Sequence, residues 1–195
     1  MLARRPLNDM GNYLMPQIYV GVGKWFTPVS GLRLWGQVAK TQWSDADDRY
    51  THLTVGAGYL LNLTNAFYGY RADRPFDFTA SLGANLSRRE RRHTPYVGID
   101  ASLRGTWHMS RLVGLFVEPR LLAYSSSYMP TSLSTTGVDL LANVNVGLQF
   151  NMDGSGRSAA GDVQDNSDWR RGSFTLAGGL TNRVGQLKVW EKYSP

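Results

Sequence analysis

"GVDLLANVNVGLQFNM", Gly137 to Met152, separates into two sets when read at every second residue. One set is Val138, Leu140, Ala142, Val144, Val146, Leu148 and Phe150. The other is Asp139, Leu141, Asn143, Asn145, Gly147 and Gln149. Successive side chains of a β-strand point to opposite faces, so this run has one apolar face and one mostly polar face of small residues. The run far exceeds the ~5–6 residues of an ordinary strand. It is long enough to cross a bilayer, which takes a tilted strand ~9–11 residues.

The same alternation recurs along the chain and predicts strands over 17–26, 31–40, 51–63, 76–87, 96–108, 112–125, 137–151 and 172–181. A further apolar-aromatic run, 187–193, suggests a ninth. In "FDFTASLGANLS", Phe76, Phe78, Ala80, Leu82, Ala84 and Leu86 oppose Asp77, Thr79, Ser81, Gly83, Asn85 and Ser87. Pro119 interrupts the strand 112–125, so a bulge or an exchanged face is expected there. "TPVS" (27–30) and "HMSR" (108–111) read as tight connections, and 64–75 as a longer one at the same end. The polar stretches 41–50, 88–95 and 126–136 read as loops at the opposite end. Residues 152–171 lack periodicity and are rich in Gly, Ser and Asp, which reads as a linker. The chain thus divides into seven strands over 1–151, the linker, and 172–195, which carries at least one more strand.

Two burial schemes fit alternating strands. A soluble barrel turns its apolar face inward; a membrane barrel turns it toward lipid and fills its lumen with polar groups. Lysine occurs at only four positions, Lys24, Lys40, Lys188 and Lys192, whereas a water-facing strand surface is usually rich in it. The polar faces hold Gly, Ser, Thr and Asn, which fit the narrow interior of an eight-strand barrel. They also carry charges of both signs: Arg33, Asp77, Asp100, Arg104, Glu118, Arg120 and Asp139. Enclosed together, these residues form a lumen network in which every charge needs a partner. Trp25, Phe26, Phe67, Tyr68, Tyr70, Phe76, Trp107 and Phe150 lie near the tight connections, where an interfacial aromatic girdle sits. The fold class expected is all-β, an antiparallel up-and-down transmembrane β-barrel of about eight strands.

The chain contains no cysteine, so neither disulfides nor thiolate metal sites are available. The net charge of +6 comes mostly from arginine, much of it in "RRERRH" (88–93) and "WRRG" (169–172). No basic stripe alternates with stacking aromatics, which argues against nucleic acid as a partner. The N-terminal "MLARRPLNDMGNYLMPQ" has no apolar core, so it is not a secretory signal; an exported protein would need one from outside this sequence.

Several stretches resemble small OmpA-like outer-membrane β-barrels of the Bacteroidota type. "GKWFTPVSGLRL" (Gly23 to Leu34) resembles their strand–turn–strand signature. "YLLNLTNAFYGYRADRPFDF" (Tyr59 to Phe78) resembles the periplasmic connection that follows, and "NVNVGLQF" their final strand. The likeness spans roughly 17–151. It implies an eight-stranded barrel in the outer membrane of a Gram-negative bacterium, delivered by the barrel-assembly machinery through its terminal aromatic, with no cofactor. One departure stands out. The strand ending at Phe150 is seventh, and both it and 17–26 descend toward the same end. An antiparallel barrel then lacks one rising strand, which "GSFTLAGGLT" (172–181) supplies by pairing with 17–26. A piece of a tandem-barrel protein and a circularly permuted barrel both fit this order.

Catalytic signals are weak. His52, His93 and His108 fall in different places, and no Ser-His-acid set converges on this map. No metal-ligand spacing is present, and "SDADD" (44–48) reads as a solvated acidic loop. No catalytic, cofactor or metal residue is assigned. Arg88, Arg89, Arg91 and Arg92 lie at the loop end, where two readings stand side by side: contact with lipopolysaccharide phosphates, or a solvated basic loop. The expected function is a non-enzymatic outer-membrane barrel with a structural, anchoring or interaction role, or a narrow pore, lying among outer-membrane lipid and lipopolysaccharide. The alternatives are a soluble lipocalin-like carrier and a lipid A-modifying enzyme.

Overall fold

In the computed structural model, residues 15–42, 49–71, 74–90, 95–110, 112–125, 137–152 and 172–188 are described. They form eight strands: β1 Met15–Trp25, β2 Ser30–Gln42, β3 Arg49–Asn62, β4 Phe76–Arg89, β5 Tyr96–His108, β6 Val113–Ser125, β7 Gly137–Met152 and β8 Gly172–Lys188. Each pairs antiparallel with its sequence neighbour, and β8 returns to β1, so the sheet is a closed barrel. The expected seam between 172–181 and 17–26 is present, running from Met15 opposite Thr181 to Lys24 opposite Gly172. Leu187 and Lys188 continue β8 rather than opening a ninth strand; 189–193 lie outside the described residues. Of the expected linker, Met152 belongs to β7, and 153–171 also lie outside the described residues.

One end of the barrel carries the connections 26–29, 63–75, 109–112 and 153–171; we call it the turn end. The connections 43–48, 90–95 and 126–136 lie at the other. Both tight turns are closed by a hydroxyl. Thr27 Oγ1 accepts from the backbone N–H groups of Val29 and Ser30, and Ser110 Oγ from those of Leu112 and Val113. Periodicity misses one element, the helix α1, Leu63–Tyr68. Asn62 caps it by accepting from Asn65 N–H at 2.8 Å, and Gly69 ends it at φ 73°, where a glycine is unstrained. Asn65 also donates to Pro28 O at 2.8 Å, which ties α1 to the first turn.

Pro119 causes neither a bulge nor an exchanged face. Glu118, Pro119 and Arg120 oppose Asn145, Val144 and Asn143 in unbroken register, and Pro119 points outward. Only ladder pairing with β5 lapses there, resuming with Gly105 opposite Val117 in the same register, because proline has no N–H to contribute. The register shift occurs instead between β7 and β8. Leu140 faces Gly185 and Leu141 faces Arg183, so Val184 is the extra residue of a bulge.

Most charged and polar strand residues lie inside the barrel, and most aliphatic ones outside. Arg33, Asp100, Arg104, Glu118, Arg120, Asp139 and many Ser, Thr, Asn and Gln side chains are buried inside. Outside, every strand presents apolar side chains, among them Ile18, Leu34, Val55, Leu82, Ile99, Leu121, Val146 and Leu176. The interior also holds a group of large rings. Tyr19, Trp35, Tyr96, Phe116 and Tyr124 pack there with Leu122 and Ala177. Inward glycines make room for two of them. A Cβ on Gly56 would lie 2.5 Å from the Trp35 ring, and one on Gly98 would lie 2.6 Å from the Tyr124 ring. Each glycine stands directly across the ladder from its ring.

Candidate functional site

The interior is organised around one carboxylate. Glu118 is fully buried on β6 and accepts hydrogen bonds from three strands. Arg33 of β2 donates through Nη1 at 3.0 Å and Nη2 at 2.9 Å. Arg104 of β5 donates through Nε at 2.7 Å, and Arg120, two residues along β6, through Nη2 at 2.7 Å. Ser102 Oγ adds a bond at 2.7 Å. Hydrogen bonds between ionised groups are the strong ones, and burial makes each partner costly to remove.

The guanidinium groups are also held by rings. Arg120 Cζ lies 4.2 Å from the Trp35 ring centre and 4.8 Å from that of Tyr19, and Arg104 Cζ lies 4.1 Å from Phe116. Planar guanidinium groups stack on aromatic faces in this way. The Asp100 carboxylate is 4.0 Å from Arg120 Nε and accepts from Asn85 at 3.3 Å. Together these side chains fill the middle of the barrel.

On either side of this plug the interior differs. Toward the turn end lies a vestibule of about 520 Å³. Arg33, Arg104, Thr79 and Thr175 line its depths, and Arg71, Arg74, Trp25 and Tyr70 its outer part. Toward the other end a cavity of about 10 Å³ lies among Gln37, His52, Thr54, Tyr124, Asn143 and Thr181, room for at most one water.

Of the seven charged residues expected in the lumen, Arg33, Asp100, Arg104, Glu118 and Arg120 converge in the plug. Asp139 is fully buried on β7. Asp77 sits apart, half-buried beside the vestibule, 3.0 Å from His108 Nε2 and 3.6 Å from Arg74 Nη1. The arrangement is an Asp–His pair in a cavity, which the residue spacing alone did not place together.

Among the aromatics, Phe26, Phe76, Trp107 and Phe150 are exposed at the turn end, as are Phe67 and Tyr68 on α1. Trp25 departs from the expected girdle. It is half-buried and lines the vestibule, because β1 turns its odd-numbered residues inward. Arg88 is exposed, and Arg88 and Arg89 end β4 rather than belonging to a loop; Arg91 and Arg92 lie outside the described residues. His52 is buried toward the end opposite His108, and His93 lies outside the described residues. Among the described residues no three metal-ligating side chains cluster.

Sequence reasoning missed the inward rings and the vestibule arginines. The rings were within reach. Trp35 alternates with Arg33 and Gln37, and Phe116 with Glu118 and Arg120, so period two already places them inside. Arg71 and Arg74 lie in a connection without periodicity, where no such signal exists. No protein-family model, curated protein or solved structure matches the chain.

Proposed function

We propose that this chain is an outer-membrane β-barrel whose plugged interior makes it a rigid anchor or interaction platform rather than a channel. The observation that carries the reading is the inversion of its two faces. All eight strands turn large apolar side chains outward, while a network of arginines and carboxylates is enclosed. Water around such a belt is unfavourable by ~25 cal/mol for every Å² of apolar surface, whereas lipid solvates it without cost. A lipocalin-like carrier requires the opposite arrangement, an apolar cavity inside a polar surface. The exposed rings at the turn end fit an interfacial belt at one bilayer boundary, and the resemblance of "GKWFTPVSGLRL" and "NVNVGLQF" to OmpA-like barrels makes that boundary periplasmic. The loops then face outward, where Arg88 is positioned toward lipopolysaccharide phosphates.

Refolding into detergent micelles or lipid vesicles tests the reading. A folded monomer is expected in both, with a band that migrates differently in SDS gels before and after boiling. Vesicles carrying it should show no steady conductance in a planar bilayer. A folded, monodisperse protein without detergent defeats the membrane assignment, and stable unitary currents defeat the plug.

A further inference from the structure

We propose that the vestibule at the turn end is a binding site for a small phosphorylated polyol, a sugar phosphate in size and chemistry. Its volume of about 520 Å³ falls within the range of small-molecule sites.

Three observations favour an anion. The floor carries excess positive charge, since Arg33 and Arg104 line it and both pair with the one carboxylate of Glu118, which Arg120 also shares. Arg33 is 3% exposed, yet its Nε finds no hydrogen-bond acceptor among the described residues. The wall adds Arg74, held in place by donating to Asn65 Oδ1 at 2.9 Å and Gly69 O at 3.0 Å. These two bonds leave three of its five N–H groups. Arg71 also lines the cavity and has no ion-pair partner among the described residues. The wall's acidic group, Asp77, already faces His108 and Arg74. Planar guanidinium groups pair two N–H donors with two phosphate oxygens, which makes arginine suited to this ligand class.

The remainder of the lining favours a hydroxylated carrier. Ser173 brings a hydroxyl and Asn62 an amide NH₂ to the lining, Gln149 and Thr175 being already bonded to Arg104, Asn151 and Gly21, and Trp25 and Tyr70 bring rings with a polar edge. The plug lies on the far side of the cavity, opposite the turn end. This site is independent of what surrounds the barrel, because the vestibule lies inside it.

Calorimetric titration of the full chain in detergent tests the proposal, with glucose 6-phosphate, inorganic phosphate and glucose as probes. Glucose 6-phosphate is expected to bind, and to bind more weakly as salt rises. The neutral sugar is expected to give no heat. Arg71→Gln should weaken binding about tenfold, with an unchanged melting temperature because Arg71 is exposed and makes no hydrogen bond or ion pair among the described residues; Arg71→Lys should restore part of the loss. Several results overturn the assignment. They are no binding at millimolar glucose 6-phosphate, equal affinity for glucose, and an affinity unchanged in Arg71→Gln. Inorganic phosphate binding as tightly as the sugar phosphate overturns the polyol part.

Discussion

Replacing Glu118 by glutamine removes one charge and almost no volume from the middle of the barrel. In the native protein this carboxylate accepts five hydrogen bonds, four of them from three guanidinium groups. Glutamine keeps one acceptor oxygen and turns an NH₂ group toward arginines that can only donate. Arg120 then keeps Asp100, 4.0 Å from its Nε, while Arg33 and Arg104 lose the carboxylate that pairs with them. Breaking a buried ion pair by removing one partner costs about 3–5 kcal/mol, because the remaining charge stays desolvated. Summing five charge-assisted bonds would overshoot, since they share one acceptor and relax together, so the single-partner figure is the appropriate one. With a urea slope of about 2 kcal/mol per M, the unfolding midpoint should fall by about 2 M. Urea unfolding from lipid vesicles, followed by tryptophan emission, measures this directly, because Trp35 stacks on Arg120. Glu118→Gln combined with Arg33→Met should lose less than the two single changes added together, since the second removes one of the stranded cations. A loss below ~1 kcal/mol, the scale of an exposed ion pair, refutes the argument that Glu118 organises the interior.

Leu82 lies outward at mid-strand and is 65% exposed, so Leu82→Arg should cost about 2–4 kcal/mol in a bilayer and almost nothing in a soluble barrel; equilibrium unfolding in vesicles checks it. Gly56→Ala drives a methyl group into the Trp35 ring and should destabilise by about 1–3 kcal/mol. Gly178→Ala meets open space and should stay within about 0.5 kcal/mol of the parent, as read by the same unfolding curves. Asn62→Ala removes the cap of α1 and should cost about 1 kcal/mol, appearing first as faster hydrogen exchange over Leu63–Tyr68.

The barrel was legible because strand periodicity is a local property. Once Val144 and Val146 share a face, Asn143 and Asn145 must share the other, whatever lies around them. The missing antiparallel partner of 17–26 then followed from direction alone, and "GSFTLAGGLT" fills it. The height of a residue along the barrel axis was not legible, because it depends on the stagger between strands. Thus Glu118 and Asp77 looked equivalent in sequence, yet one is the hub of the plug and the other borders the vestibule. Trp25 was misplaced for a related reason, since proximity to a turn does not specify the side on which a ring lies. At α1, the cap formed by Asn62 and Asn65 is a four-residue signal easily hidden by the alternation before it. The vestibule combines residues from strands and a non-periodic connection, so it exists only once the barrel has closed.

The β1–β8 seam has a consequence for the time course of folding. It joins the first described strand to the last, so its ladder closes the largest loop in the chain and cannot form by local zipping. Until β8 arrives, β1 and β7 each present an unpaired edge, and Glu118 gathers its arginines inside an open sheet. Closure should therefore be a late and slow event, separable from hairpin formation in kinetics. Changes at outward seam residues such as Ile18 and Leu176 would then alter the folding rate while leaving the side chains of the plug untouched.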